Sequence, residues 1–171
     1  MTKPSKIERA LLFSFIRLSA LLGAHTASNA MIFAFRRWGM KFDGTPRYLS
    51  WRTNFDGTDY GLIEIGEGTT VSSFCRILTH DWAADTIARG MDMHFTPPLG
   101  RVAGVKIGKF SFIGTNSVVM PGAKVGNFCI VGAGSVVRGT IPDYAIYTGS
   151  PGKIVGDTRD LVKRVTDART A

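Results

Sequence analysis

His80 is the residue whose type and position could most readily do chemistry. It follows Leu78-Thr79 at the point where a regular six-residue pattern stops and a segment punctuated by Pro97, Pro98, Gly100 and Gly104 begins. Imidazole titrates near neutral pH, so it can take a proton from a hydroxyl as a general base. A coil end would hold it rigidly, and the irregular segment from Trp82 to Gly104 would wall a cleft beside it. The plainer alternative is a corner histidine bonded to a backbone carbonyl. The local sequence weighs the two evenly. A base of this kind is commonly oriented by a carboxylate. Asp56, Asp81 and Asp85 are the candidates, and the sequence does not choose among them.

The remaining candidate ligands and nucleophiles are few. The histidines are His25, His80 and His94, and no two of them show the short spacing of a metal site, so no metal is expected. His25 reads as structural. His94 is a candidate for lining the cleft, against the simpler reading of an exposed loop histidine. Cys75 and Cys129 form no CxxC pair and read as small buried hydrophobes in a reducing compartment.

The element that must position His80 is announced by its period. Ile107, Ile113, Val119, Val125, Val131 and Val137 recur every sixth residue. Gly108, Gly114, Gly126 and Gly132 follow four of them, and Ser111, Ser117, Ala123, Cys129 and Ser135 stand four places after the first five. Six is neither the period of a helix nor that of a plain strand. It is the period of a hexapeptide solenoid, in which the branched residues stack inside, the small ones fill tight inward positions and glycine supplies freedom at the bend. Ile65, Val71 and Ile77 extend the pattern back to the residues just before His80.

Charge separates the ends of the chain. Residues 1–41 carry seven Lys and Arg against Glu8, a balance of +6 out of the whole chain's +8. That distribution excludes a nucleic-acid footprint spread over the domain. It fits an arm meeting an anionic surface such as the cytoplasmic leaflet, or a solvated helix face. Ile7–Leu22 and Met31–Trp38 predict two short amphipathic helices broken at 23–26, with Ser28 or Asn29 as the second N-cap. Arg17 inside the apolar stretch weighs against a signal peptide, and the uncharged run is too short to span a membrane. Three segments are therefore expected: a helical arm at 1–45, a solenoid at 46–155 with a loop at 81–104, and a helix at 156–171 that caps the open end.

The combination resembles the hexapeptide-repeat acyltransferases, in particular the maltose, galactoside, streptogramin and surface-polysaccharide O-acetyltransferases. The residues that carry the resemblance are Asn54-Phe55, Leu78-Thr79-His80, 112–117, 131–137, Ile141-Pro142 and 149–155, so it covers roughly residues 50–155. It implies an all-β, left-handed parallel β-helix assembled as a homotrimer, with active sites between subunits and acetyl-CoA lying along the coils. By the same resemblance, His80 matches the catalytic base and the Thr115 backbone N–H the oxyanion donor. Gly114, Gly132 and Ala133 wall the donor track, and Lys153 matches a basic residue near the coenzyme's phosphates. The family often carries Thr-Lys after the last valine, where this chain has Arg138-Gly139, and Arg138 is expected to supply that charge. Asn54 falls near an acceptor-binding position, and Asp56 and His94 join it as expected acceptor contacts.

The expected function is an acetyl-CoA-dependent O-acetyltransferase acting on a hydroxyl of a sugar or glycan precursor. The expected location is the cytoplasm, with peripheral contact at the inner membrane face through residues 1–41. The alternatives are N-acetylation of an amino sugar nucleotide and a non-catalytic trimeric solenoid subunit.

Overall fold

Every stacked aliphatic of the period lies inside: Ile65, Val71, Ile77, Ile107, Ile113, Val119, Val125, Val131 and Val137 are each at most 2% exposed. The structure, a computed structural model, describes residues 5–56 and 59–170. Successive short strands build three parallel faces. Sheet A contains Lys41–Asp43, Ile63–Gly66, Val105–Ile107, Lys124–Val125 and Thr140–Ile141. Sheet B runs through Tyr48–Leu49, Thr70–Val71, Phe112–Ile113, Ile130–Val131 and Ala145–Gly149, and ends in the antiparallel edge strand Gly152–Asp157. Sheet C holds Asn54–Phe55, Arg76–Ile77, Val118–Val119 and Val136–Val137. The first strand, at Lys41, lies within the segment expected to be the arm.

The small inward residues have a second role that the spacing did not reveal. Thr69 Oγ1 donates to Gly108 O at 2.6 Å, Ser111 Oγ to Gly126 O at 2.8 Å and Ser117 Oγ to Gly132 O at 3.1 Å. Cys75 Sγ and Cys129 Sγ make the same contact to Gly114 O and Pro142 O. Each donates to a corner carbonyl of the next coil and so ties successive coils together.

The glycines after the aliphatics are needed for a different reason from the one expected. A Cβ on Gly108 would lie 2.5 Å from Gly126 O, and one on Gly114 2.6 Å from Ala133 N. They are glycine because the coils stack backbone to backbone there. Conformational freedom is required two residues later. Gly68, Phe74, Phe110, Asn116, Gly122, Phe128, Gly134 and Tyr144 all have φ between 51° and 81°. Phe110, Phe128 and Tyr144 hold this left-handed conformation one above another, with rings 5.5 and 5.0 Å apart and nearly parallel. Stacking offsets part of the backbone cost.

The ends also differ from expectation. Helix α1 is Lys6–Ser19, capped by a Ser5–Glu8 capping box, and α2 is Ala24–Arg37, starting after Gly23 rather than at Ser28. Ser28 is buried, and its hydroxyl accepts the Leu49 N–H at 2.8 Å, satisfying an edge of sheet B. Met31, Ile32, Ala34 and Phe35 close the N-terminal end of the core, with Phe35 packed on Phe55 and Tyr60. The segment after His80 is more regular than expected. Helix α3, Ala83–Gly90, lies in it, and Arg101–Val102 pairs antiparallel with His80–Asp81. At the other end, α4, Thr158–Thr170, does not cap the last coil. It is tied to the A-to-B corner by Thr158, which bonds Phe128 O and, through its N–H, Tyr144 O. Val162 and Val165 stay exposed, and the antiparallel edge strand ends sheet B instead.

Candidate active site

The structure selects one carboxylate for His80. Asp56 Oδ2 lies 2.7 Å from His80 Nδ1, and the same oxygen accepts the Thr79 N–H at 3.1 Å. Asp56 follows the sheet C strand Asn54–Phe55, one coil before the strand Arg76–Ile77 that leads to His80. Coil stacking therefore brings together two residues 24 positions apart. The Asp56 side chain is 15% exposed and the His80 side chain 40%. With Nδ1–H donated to the carboxylate, the lone pair of a neutral imidazole resides on Nε2. The other two candidates are engaged elsewhere. Asp81 Oδ1 accepts the Ala83 N–H at the start of α3. Asp85 is held by Arg89 at 2.6 Å and by the Leu99 N–H, bonds that keep its carboxyl below the usual range.

One residue near His80 was missed in the sequence. The Trp82 ring centre lies 6.2 Å from that of His80, and Gly100 packs against the indole, where any Cβ would collide with the ring. An aromatic two residues past a candidate base is a weak signal until the loop's return at Arg101 is known. A cleft of about 390 Å³ opens beside it, lined by Asp81, Ala83, Ala84, Leu99, Gly100 and Arg101. His94 is exposed in this loop.

Most of the residues expected along the donor track occupy a different edge of the solenoid. Gly114-Thr115 and Gly132-Ala133 lie in consecutive coils at the corner between sheets B and C, where Thr115 O accepts the Gly134 N–H. Thr115 Oγ1 is committed to Ser73 O at 2.7 Å. Lys153 pairs in register with Thr148 at the end of the same edge. Arg138 follows the sheet C strand Val136–Val137, at the C-to-A corner, and with Ser150, Pro151 and Gly152 lines a cleft of about 470 Å³. His80 lies at the corner between sheets C and A. Sheet C separates it from Thr115 within one chain. Asn54 lies on the outer side of sheet C, in register with Arg76.

Neither cysteine is a candidate nucleophile. Both are buried and free, and burial pushes both thiols up. His25 packs edge-on to Tyr48. Among the described residues, no cluster of His, Cys, Asp or Glu could hold a metal ion.

Comparison with known proteins adds to this geometry. The family described as bacterial transferase hexapeptide (six repeats) matches residues 104–139, the stretch with the most regular period. Protein CapG of Staphylococcus aureus is 37% identical over 118 residues, which span 69% of this chain and 66% of CapG, just under two thirds of that relative. Among solved structures, a galactoside acetyltransferase in complex with coenzyme A matches with a TM-score of 0.61 at 14% identity, covering 95% of this chain and 88% of that one. A maltose O-acetyltransferase from Clostridium difficile 630 matches with a TM-score of 0.55 at 20% identity, covering 88% and 86%. At these identities the likeness establishes the fold, the left-handed parallel β-helix.

Proposed function

The chain is a hexapeptide-repeat protein with the left-handed β-helix fold, and from that premise we propose that it is an O-acetyltransferase, moving an acetyl group from acetyl-CoA to a hydroxyl of a sugar or glycan precursor. The observation that carries this reading is the Asp56–His80 contact of 2.7 Å at a rigid coil corner. His80 is the general base and Asp56 its positioning residue. The acetyl thioester supplies the activated acyl group. His80 Nε2 takes the proton of the acceptor hydroxyl as its oxygen attacks the thioester carbonyl. The Thr115 backbone N–H receives the oxyanion that develops. His80 then returns the proton to the departing thiolate, and the enzyme regains its starting state. No acyl-enzyme is needed, in keeping with two buried cysteines.

Arg138 and Lys153 suit the coenzyme's phosphates, since both are exposed cations beside the cleft at 150–152. Trp82 offers an apolar platform for a sugar ring next to the base. Because His80 and Thr115 lie on different corners of one chain, a complete site needs the His80 corner of one copy against the Thr115 corner of the next. That requirement favours a closed cyclic assembly, here a trimer.

Acetyl-CoA offered with a panel of sugars, with free thiol followed over time, tests the activity. Thiol release that vanishes in His80→Ala is expected. No release with any acceptor, or full activity in His80→Ala, would overturn the reading. Alkali-labile product marks an ester; alkali-stable product would move the acceptor to an amine. Light scattering that finds a monomer would rule out the shared site.

A further inference from the structure

Helix α1 leaves an apolar face uncovered. Ile7, Leu11, Phe15 and Leu18 lie along one side of it at spacings of three or four residues, and the stripe runs on to Leu21 and Leu22 in the short 3-10 turn that follows. All six are between 58% and 81% exposed. On the opposite side, Ile16 is buried, and Leu12 and Phe13 pack on the core. The outward stripe is therefore not needed to hold the arm in place.

The arm that carries the stripe is cationic. Arg17 on α1 and Arg36 and Arg37 at the end of α2 are exposed, with Arg36 reaching Gly44 O and the Phe42 ring. Glu8, the single acid in residues 1–41, is engaged by Ser5 in the capping box. No helix of the described residues is long and apolar enough to cross a membrane.

We propose that α1 lies flat on an anionic lipid surface, with Ile7, Leu11, Phe15, Leu18, Leu21 and Leu22 entering the acyl boundary and the arm's arginines meeting the headgroups. Large aliphatic and aromatic side chains on one face and Arg on the rest is the composition of an interfacial helix. Each nearby cation adds attraction to an anionic leaflet. A second copy of this chain is a poorer occupant. An apolar groove of about 610 Å³ between the ring stack and α4 is edged by Arg159 and Lys163, so seating α1 there sets cations against cations. Pairing two α1 faces brings two arms of +6 together.

This inference does not rest on acetyl transfer, and its test uses no substrate. The full-length protein is floated with vesicles of equimolar phosphatidylglycerol and phosphatidylcholine, and with vesicles of phosphatidylcholine alone. Binding to the first at low salt, weakened by added salt and by removal of the anionic lipid, is expected. The variant Leu11→Asp/Phe15→Asp/Leu18→Asp replaces only exposed side chains, so its circular dichroism should match wild type. Its binding should fall by an order of magnitude or more. Arg17→Glu/Arg36→Glu should weaken binding to the anionic vesicles about fivefold or more for each cation removed. Failure to float with the anionic vesicles overturns the proposal. So does equal binding to both lipids. A triple-aspartate variant that changes the solution mass and leaves flotation intact also overturns it, and would assign the stripe to a second copy.

Discussion

Two corners of the same solenoid are built on opposite plans. At the A-to-B corner the coils repeat closely. Gly66, Gly108 and Gly126 let backbones touch, and Phe110, Phe128 and Tyr144 stack in the left-handed conformation just beyond. At the C-to-A corner the equivalent positions are Leu78, Met120 and Arg138, and the first coil opens into the excursion that begins at His80. Repetition at one corner pairs the N–H groups of Phe110, Phe128 and Tyr144 with the coil before and leaves little room for a reactive side chain. The interruption at the other leaves an imidazole 40% exposed while its Nδ1 is fixed by a carboxylate from the coil before. Stability and reactivity are thus placed on different edges of one scaffold. Each edge can be perturbed without the other.

The sharpest separation comes from the base. His80→Ala should lower acetyl transfer by about two to four orders of magnitude. The side chain is half-exposed, so the melting temperature should stay close to wild type. Initial rates and a thermal scan on the same preparation check both halves. A large loss of stability would mean that the C-to-A corner is structural after all.

The converse test is in the stack. Ile107 is fully buried between Ile65 and Val125. Ile107→Ala should cost about 2–5 kcal/mol in chemical denaturation. The rate per folded molecule should change far less, because Ile107 leads to the A-to-B corner, away from both His80 and Thr115.

Asp56 sits between these extremes. Asp56→Asn keeps an oxygen for the Thr79 N–H and removes the charge facing Nδ1. Turnover should fall by about an order of magnitude or more, while the KM for acetyl-CoA stays unchanged. A rise in that KM with unchanged turnover would reassign Asp56 to substrate contact.

At the repetitive corner, Phe128 carries both a strained backbone and two ring neighbours. Phe128→Gly should cost no more than about 1 kcal/mol, because relief of the left-handed conformation offsets part of the lost stacking. Phe128→Ala keeps the strain and loses the ring, so it should be the less stable of the two variants. The reverse order would remove the strain argument. Both should retain wild-type activity.

The two corners were not equally legible in the sequence. The aliphatic period gave the inward faces directly, because burial on one side of a two-residue strand leaves a strict mark. The left-handed positions were hidden. Phe110, Phe128 and Tyr144 do not look like turn residues, and only coil stacking makes them tenable there. Asp56 stood among three candidate carboxylates for His80, and the choice was unreadable for the same reason, since pairing of Asn54 with Arg76 is what delivers Asp56 to Nδ1. Helix α3 was obscured by the prolines and glycines that end its loop. Ser28 looked like a cap because its true partner, the Leu49 N–H, belongs to another element.

The smallest expected effect lies beside the aromatic ladder and depends on pH. Arg159 bonds Asp157 and lies over the Tyr144 ring at 4.5 Å, joining α4 to the A-to-B corner. Those bonds lower the Asp157 carboxyl from 3.8 to about 2. A carboxyl depressed in the folded state stabilises it above the ordinary value, and that contribution is lost as pH falls from about 4 through about 2. The pair is solvent-exposed and screened by salt, so its contribution is small. Asp157→Asn should therefore lower the melting temperature slightly at pH 7 in dilute buffer, less at high salt, and not at all once the pH is below 2. A difference that persists in strong acid would place the stabilising role of Asp157 in its backbone position rather than in its charge. Acetyl transfer should be the same in both proteins at neutral pH, since nothing in this pair reaches the corner that holds His80.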